Sequence, residues 1–163
     1  MDIRDQAELV GKLLLAAFCG GAIGWQRDRR QNVAGIRTMA LVATGAALFT
    51  AANEALGLDR VVANIVTGIG FLGAGIIFRE GGTVRGITTA ATVWAVAAIG
   101  VVIGLELYLV ALVATPLVFL ILEMRPLSEY ITGRRTQLPL PGALRRDDGS
   151  ADDEDEGRRR HED

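Results

Sequence analysis

The sequence predicts an all-α integral membrane protein, a bundle of about five transmembrane helices with a disordered polar C-terminal tail. Three observations carry that prediction. Long apolar stretches recur between residues 9 and 122, with few charges among them. Glycine is dense inside those stretches, as in NIVTGIGFLGAGIIFREGGTVRGITTAATVW at residues 64–94; in lipid, close backbone approach takes the place of the hydrophobic drive that joins helices in water. The charge is also divided. Residues 1–146 hold 14 Lys/Arg and 10 Asp/Glu, whereas residues 147–163 hold 3 and 9, a body at +4 and a tail at −6.

A helix rises about 1.5 Å per residue and needs roughly 17 to 25 mainly apolar residues to cross the hydrocarbon core. Residues 9–25 meet that test, with Lys12 placed to snorkel at one end and Trp25 as an interfacial anchor at the other. The second span is 36–56, its end marked by Asn53, Glu54 and Gly57, and the third is 61–78. Residues 87–122 carry one charge, Glu106. As one helix they would run about 54 Å, too long for a single crossing, so the chain is expected to fold back at 104–106 into spans four and five. Pro116 should loosen the fifth span locally, and Pro126 ends it. Four spans plus a re-entrant segment is the alternative. The resulting division is an N-terminal segment 1–8, a membrane domain 9–130 and a polar, acidic cytoplasmic tail 131–163 with little to bury.

Five spans place eleven arginines on one side, against Arg4, Lys12 and Arg60 on the other. The positive-inside bias then puts the N-terminus outside and the C-terminus in the cytoplasm. The opening MDIRDQAEL carries three acids and one arginine, the wrong sign for a signal-peptide n-region, so the first span is expected to be retained.

Several chemistries are disfavoured. Cys19 is the only cysteine, which removes an intrachain disulfide and a cysteine zinc site, and the single His161 lies in the polar tail. No Asp or Glu falls near the middle of a span; Glu54, Glu80, Glu106 and Glu123 sit at ends. Proton relays and cation pathways use intramembrane carboxylates, and Mg²⁺ is usually held by one or two of them. No catalytic residue, metal site, cofactor or nucleic-acid partner is expected. Gly68-Ile69-Gly70-Phe71-Leu72-Gly73 matches the GxGxxG string, but the dinucleotide fingerprint needs a βαβ unit and an acid roughly 20 residues on, where this chain reads TTAATVWA.

Those glycines, Gly68, Gly70, Gly73 and Gly75, read instead as a helix-packing face on the third span. Ala16, Gly20 and Gly24 make a second small-residue row, and Gly100 with Gly104 a third. Among polar groups within the spans, Thr44, Thr67, Thr88, Thr89 and Thr92 can bond their own helix carbonyls. Asn64 cannot satisfy its amide that way, and is expected to bond across helices or line a polar cavity. The stretch Arg79-Glu80-Gly81-Gly82-Thr83-Val84-Arg85-Gly86 is read either as a cytoplasmic hairpin with an Arg–Glu80 pair or as an anion or partner site, aided by free N–H groups at the start of span four.

The strings GWQRDRRQNVAGIRTMALVATGAAL and RVVANIVTGIGFLGAGIIFREGGTVRGITTAATVWAVAAIG resemble the N-terminal membrane domain of the MgtC/SapB family. The likeness covers roughly residues 9–130 and implies a small cytoplasmic-membrane protein of about five spans. In the best-studied branch it implies a link to virulence and to growth under magnesium limitation, and a regulator that restrains the membrane ATP synthase rather than a Mg²⁺ transporter. Two residues depart from the pattern: Gln26 stands where the family typically has a glutamate, and Asn64 where a glutamine is common. The ACT-like C-terminal domain of virulence-associated members is replaced here by a polar tail, which makes a bare membrane-domain homologue the expected description.

The expected function is that of a non-enzymatic membrane regulator whose Arg27, Arg37, Arg79, Glu80 and Arg85 contact a partner or anionic headgroups. Its expected surroundings are the bilayer, a membrane protein such as ATP synthase, and a second copy of the chain. The alternative is a small channel or transporter formed by an oligomer, with Asn64, Thr67, Thr88 and Thr89 along the path.

Overall fold

The structure, a computed structural model, describes residues 2–56, 60–80 and 83–124; the expected tail lies outside the described residues. Their order is α1 (Ile3–Arg29), α2 (Ile36–Leu56), α3 (Val61–Ile76), β1 (Phe78–Glu80), β2 (Thr83–Arg85), α4 (Ile87–Gly104) and α5 (Tyr108–Glu123). Five helices therefore stand where five apolar segments were expected.

α1 is longer than its apolar stretch at both ends. Asp2 starts it early through a capping box in which Asp5 Oδ2 accepts from the Asp2 N–H at 2.8 Å. At the far end Gln31 takes φ 54, and the Asn32 backbone and side-chain N–H groups both donate to the Arg27 carbonyl at 3.2 Å, joining the Arg30 N–H at 3.1 Å on that helix-end oxygen. α2 then begins under a borrowed cap: Asp28 Oδ2 accepts from the Ile36 N–H at 3.0 Å. α4 and α5 are split by a turn in which Glu106 has φ 62, the fold-back expected at 104–106. Pro116 lies inside α5 without ending it.

Between α3 and α4 the helical bundle is interrupted by a short two-stranded hairpin, where the sequence offered a cytoplasmic hairpin as one reading. β1 and β2 pair antiparallel, with Phe78 opposite Arg85 and Glu80 opposite Thr83. Extended pairing satisfies the backbone where two glycines and β-branched Thr83 and Val84 disfavour helix, and it draws Phe78 out of the expected third span. Gly86, at φ 90, turns the chain from β2 into α4; a Cβ there would collide with the Ile76 carbonyl.

α4 is the central element, packed against α1, α2, α3 and α5. Its buried residues include Val93, Val96, Ile99 and Ile103, which join Ala16 and Ile23 of α1 and Met39, Ala43 and Ala47 of α2 in one core. Small residues let these helices close up. A Cβ on Gly20 would lie 2.5 Å from the Met39 carbonyl oxygen, one on Gly24 2.5 Å from Ile36 Cα, and one on Gly104 2.6 Å from Thr50 Cβ. A Cβ on Gly100 would overlap the Ala43 carbonyl oxygen. The tight rows are therefore those of α1 and α4.

The α3 glycines behave otherwise, and the packing face expected there is corrected. A Cβ on Gly68, Gly70 or Gly75 would meet nothing within 4 Å, and one on Gly73 would make an ordinary 3.6 Å contact with Ala90. α3 turns Ile69, Gly73 and Ile76, spaced four and three apart, toward the core. Phe71, between the other glycines, is 82% exposed.

Candidate functional site at the arginine-rich end

One end of the bundle gathers the C-terminus of α1, the N-terminus of α2, the β hairpin, the N-terminus of α4 and the C-terminus of α5. Side-chain bonds tie the end of α1 to α2, α4 and α5. The opposite end holds a smaller cluster, in which Lys12 Nζ donates to Glu106 Oε1 at 2.7 Å and lies 3.3 Å from Glu8 Oε1. That cluster fastens the α4–α5 turn to α1. The Lys12 hydrogen bond is the first cause, and its charge the second, that hold the Glu106 carboxyl below its ordinary value of 4.5.

Arg27 was expected on the contact surface, and that expectation is corrected: it is 2% exposed and donates to Thr89 Oγ1 at the start of α4. The reason is helical phase. Ala16, Gly20, Ile23 and Arg27 are spaced four, three and four apart and share the buried stripe of α1. Gln26, beside it, is also buried, and its Nε2 donates to Glu123 Oε2 at 2.6 Å and to the Phe119 carbonyl at 3.2 Å. Arg30 completes the α1–α5 seam with a 2.6 Å ion pair to Glu123 and a 3.3 Å bond to the Leu122 carbonyl. A glutamine thus suits position 26, since an ionised glutamate would face the Glu123 carboxylate. Sequence reasoning missed both Gln26–Glu123 and Arg30–Glu123, whose partners are more than ninety residues apart.

Of the remaining contact candidates, Arg37 and Arg85 are exposed at this end. The side chains of Arg79 and Glu80 lie outside the described residues. Arg29, not singled out from the sequence, stacks its guanidinium 3.7 Å from the Trp25 ring centroid.

A polar cavity of about 600 Å³ opens between the α1–α2 loop, the hairpin and the first turn of α4, lined by Gln31, Phe78, Arg85, Gly86, Thr88 and Thr89 among others. Gly86 gives α4 no side-chain cap, so the N–H groups of the first turn at this wall keep no helical or side-chain acceptor among the described residues. Thr88 and Thr89 therefore meet at one site with Arg85, and through Thr89 with Arg27.

Asn64 and Thr67 are elsewhere. Thr67 Oγ1 donates to the Ala63 carbonyl at 3.1 Å, and Thr44 and Thr92 make the same kind of bond to their own helices at 2.8 and 2.7 Å. Asn64 is exposed, and its side chain makes no hydrogen bond among the described residues. It lines a groove of about 540 Å³ between α2 and α3 whose other walls are apolar, including Leu41, Phe49 and Leu72. The cross-helix bond or polar cavity expected for Asn64 is corrected to this apolar groove.

Large apolar side chains such as Leu14, Phe18, Leu41 and Leu109 cover the outward faces of the helices, while the ion pairs sit at the two ends. α1 and α4 are long and apolar enough to cross a membrane, and α3 and α5 are shorter apolar helices. This distribution, with polar ties at the ends and lipid-like surface between, defines a helical membrane protein.

Residues 13–130 match the MgtC family, and the chain belongs to that family. It is 49% identical over 131 residues to Protein MgtC of Salmonella typhimurium, an alignment covering 78% of this chain and 55% of that protein. The same figures hold for Protein MgtC of Salmonella typhi. Protein MgtC of Brucella abortus is 48% identical over 128 residues, covering 76% of this chain and 52% of that protein. The chain thus spans about half the length of the curated relatives it matches. No solved structure matches it.

Proposed function

We propose that this protein is a non-enzymatic, multi-pass regulator in the cytoplasmic membrane, with its arginine-rich end in the cytoplasm and its N-terminus outside. Its role is in growth under magnesium limitation and membrane-energy homeostasis, exerted through contact with a membrane protein such as the ATP synthase. The observation that carries this reading is the exposure of Arg37 and Arg85 at one end of the bundle, a distribution that fits both the positive-inside rule and an acidic contact surface.

The experiment is complementation of a deletion strain in low-Mg²⁺ medium by Arg37→Ala/Arg85→Ala at matched membrane level, with cellular ATP and membrane potential recorded. Loss of growth with raised ATP is expected. Full growth with unchanged ATP removes this face from the function. The rival, a channel formed by an oligomer, draws on the exposed Asn64 and Thr67 of α3. Purified protein in liposomes that passes no Mg²⁺, Na⁺, K⁺ or H⁺ above empty vesicles removes it.

A further inference from the structure

We infer that Trp25 and Arg29 of α1 form a binding site for the phosphate of an anionic phospholipid headgroup at the arginine-rich end of the bundle. The inference needs the bundle to cross a membrane, but not the partner contact proposed above.

The first observation is the direction in which α1 presents these residues. Leu14, Phe18, Trp25 and Arg29 each lie two positions from a member of the buried stripe Ala16, Gly20, Ile23 and Arg27. At about 100° per residue, two positions is nearly the opposite side of the helix. Leu14 and Phe18 are 67% and 73% exposed and Trp25 is 45% exposed. Arg29 therefore ends a line of side chains that faces lipid and not the bundle.

The second observation is depth. Lys12, hydrogen-bonded to Glu106 at the opposite end, stands 17 residues before Arg29 on the same helix. That separation is about 26 Å, close to the roughly 30 Å of a hydrocarbon core. With Lys12 at one boundary, the Arg29 guanidinium reaches the headgroups at the other. Trp25, one turn further in, lies at the interface that indole rings favour.

The third observation is how the charge is held. Of the described carboxylates at this end, Asp28 accepts from the Ile36 N–H and Glu123 pairs with Arg30. Arg29 is exposed and has no carboxylate partner among the described residues. Its guanidinium instead lies 3.7 Å from the Trp25 ring centroid. Stacking occupies one face of the guanidinium and leaves the in-plane N–H donors for an acceptor. Two oxygens of a phosphodiester match that edge in bidentate fashion, and the apolar line through Trp25, Phe18 and Leu14 suits the acyl chains that continue from it. A net anionic lipid is favoured over a zwitterionic one, whose ammonium would meet Arg29 and the exposed Arg37 at the same end.

The test uses the full chain carrying Trp94→Phe, which leaves Trp25 as its one tryptophan. It is reconstituted in phosphatidylcholine bilayers containing phosphatidylglycerol, with one lipid or the other brominated in its acyl chains. Quenching of Trp25 fluorescence then gives the relative binding of the two lipids beside the ring. A preference of about five-fold for phosphatidylglycerol is expected. Arg29→Gln should bring it close to one, and Arg29→Lys, which keeps the charge without the planar stack, to about two-fold. The companion chain Trp25→Phe reports the surrounding lipid from Trp94 on α4 and should show no preference. Circular dichroism establishes that each variant is folded. No preference at Trp25, as for an arginine that serves an acidic protein instead, overturns the site. So does an equal preference at Trp94, which is a general charge effect, or an unchanged preference in folded Arg29→Gln or Arg29→Lys. These readings come from purified protein in vesicles, so the lipid site and the partner-contact reading fail separately.

Discussion

Replacing Gly100 by alanine tests the packing that positions the whole arginine-rich end. A Cβ at Gly100 would overlap the Ala43 carbonyl oxygen and stand 2.9 Å from Ala46 Cβ. The obstructing oxygen belongs to the backbone of α2, so no rotamer change relieves it. α2 and α4 must part by on the order of 0.5–1 Å, and a gap of that size forfeits a quarter to a half of each dispersion contact across the seam. Overpacking of this kind costs roughly 1–3 kcal/mol. Helices persist in the membrane's unfolded state, so the helical preference of alanine over glycine largely cancels and the packing loss is read undiluted. Gly68→Ala on α3 is the matched control. Its new Cβ meets nothing within 4 Å, and its effect should stay within about 0.5 kcal/mol. Reversible unfolding of the purified protein in mixed micelles, followed by circular dichroism and Trp fluorescence, measures both. If Gly100→Ala is as stable as wild type, or if Gly68→Ala is the more damaging of the two, the assignment of α1, α2 and α4 as the tightly packed helices is wrong.

Two further outcomes follow from individual bonds. Asp28→Ala removes the carboxylate that accepts from the Ile36 N–H at 3.0 Å and should cost about 0.5–2 kcal/mol; amide exchange at Ile36 should quicken, and Asp28→Asn, which keeps an acceptor, should restore most of the protection. At the other end, Glu106 has a lowered pKa because it is hydrogen-bonded to Lys12. Its tie to α1 contributes stability that is fully present above the ordinary glutamate value of 4.5 and is lost as pH falls through the depressed value. A ¹³C titration of its carboxyl that gave a midpoint at or above 4.5 would show that the Lys12 contact is not maintained.

The number and order of helices were legible because crossing length and charge placement report them directly. α2 begins and ends where its apolar stretch does, and the fold-back at Glu106 follows from the excessive length of one continuous helix. The hairpin was half legible: glycines marked the turn, but the extended pairing of Phe78 with Arg85 is a tertiary outcome. The inward faces were the hard part. In a water-soluble helix the apolar side is the buried side, so composition alone reports the phase. In lipid both sides are apolar, and a row such as Gly68, Phe71 and Gly75 looks the same whether it meets a helix or the bilayer. Phase must then come from polar residues, which cannot be left to the hydrocarbon. Arg27 and Thr89 held that information. Stepping back from Arg27 by four, three and four residues gives Ile23, Gly20 and Ala16, the buried stripe of α1. Stepping on from Thr89 by four, three and four gives Val93, Val96 and Gly100, all buried in α4. The same rule leaves the open face of α3 without an inward polar residue to direct it: Asn64 and Thr67 are both exposed, and the α3 glycines accordingly stay unpacked within the described chain.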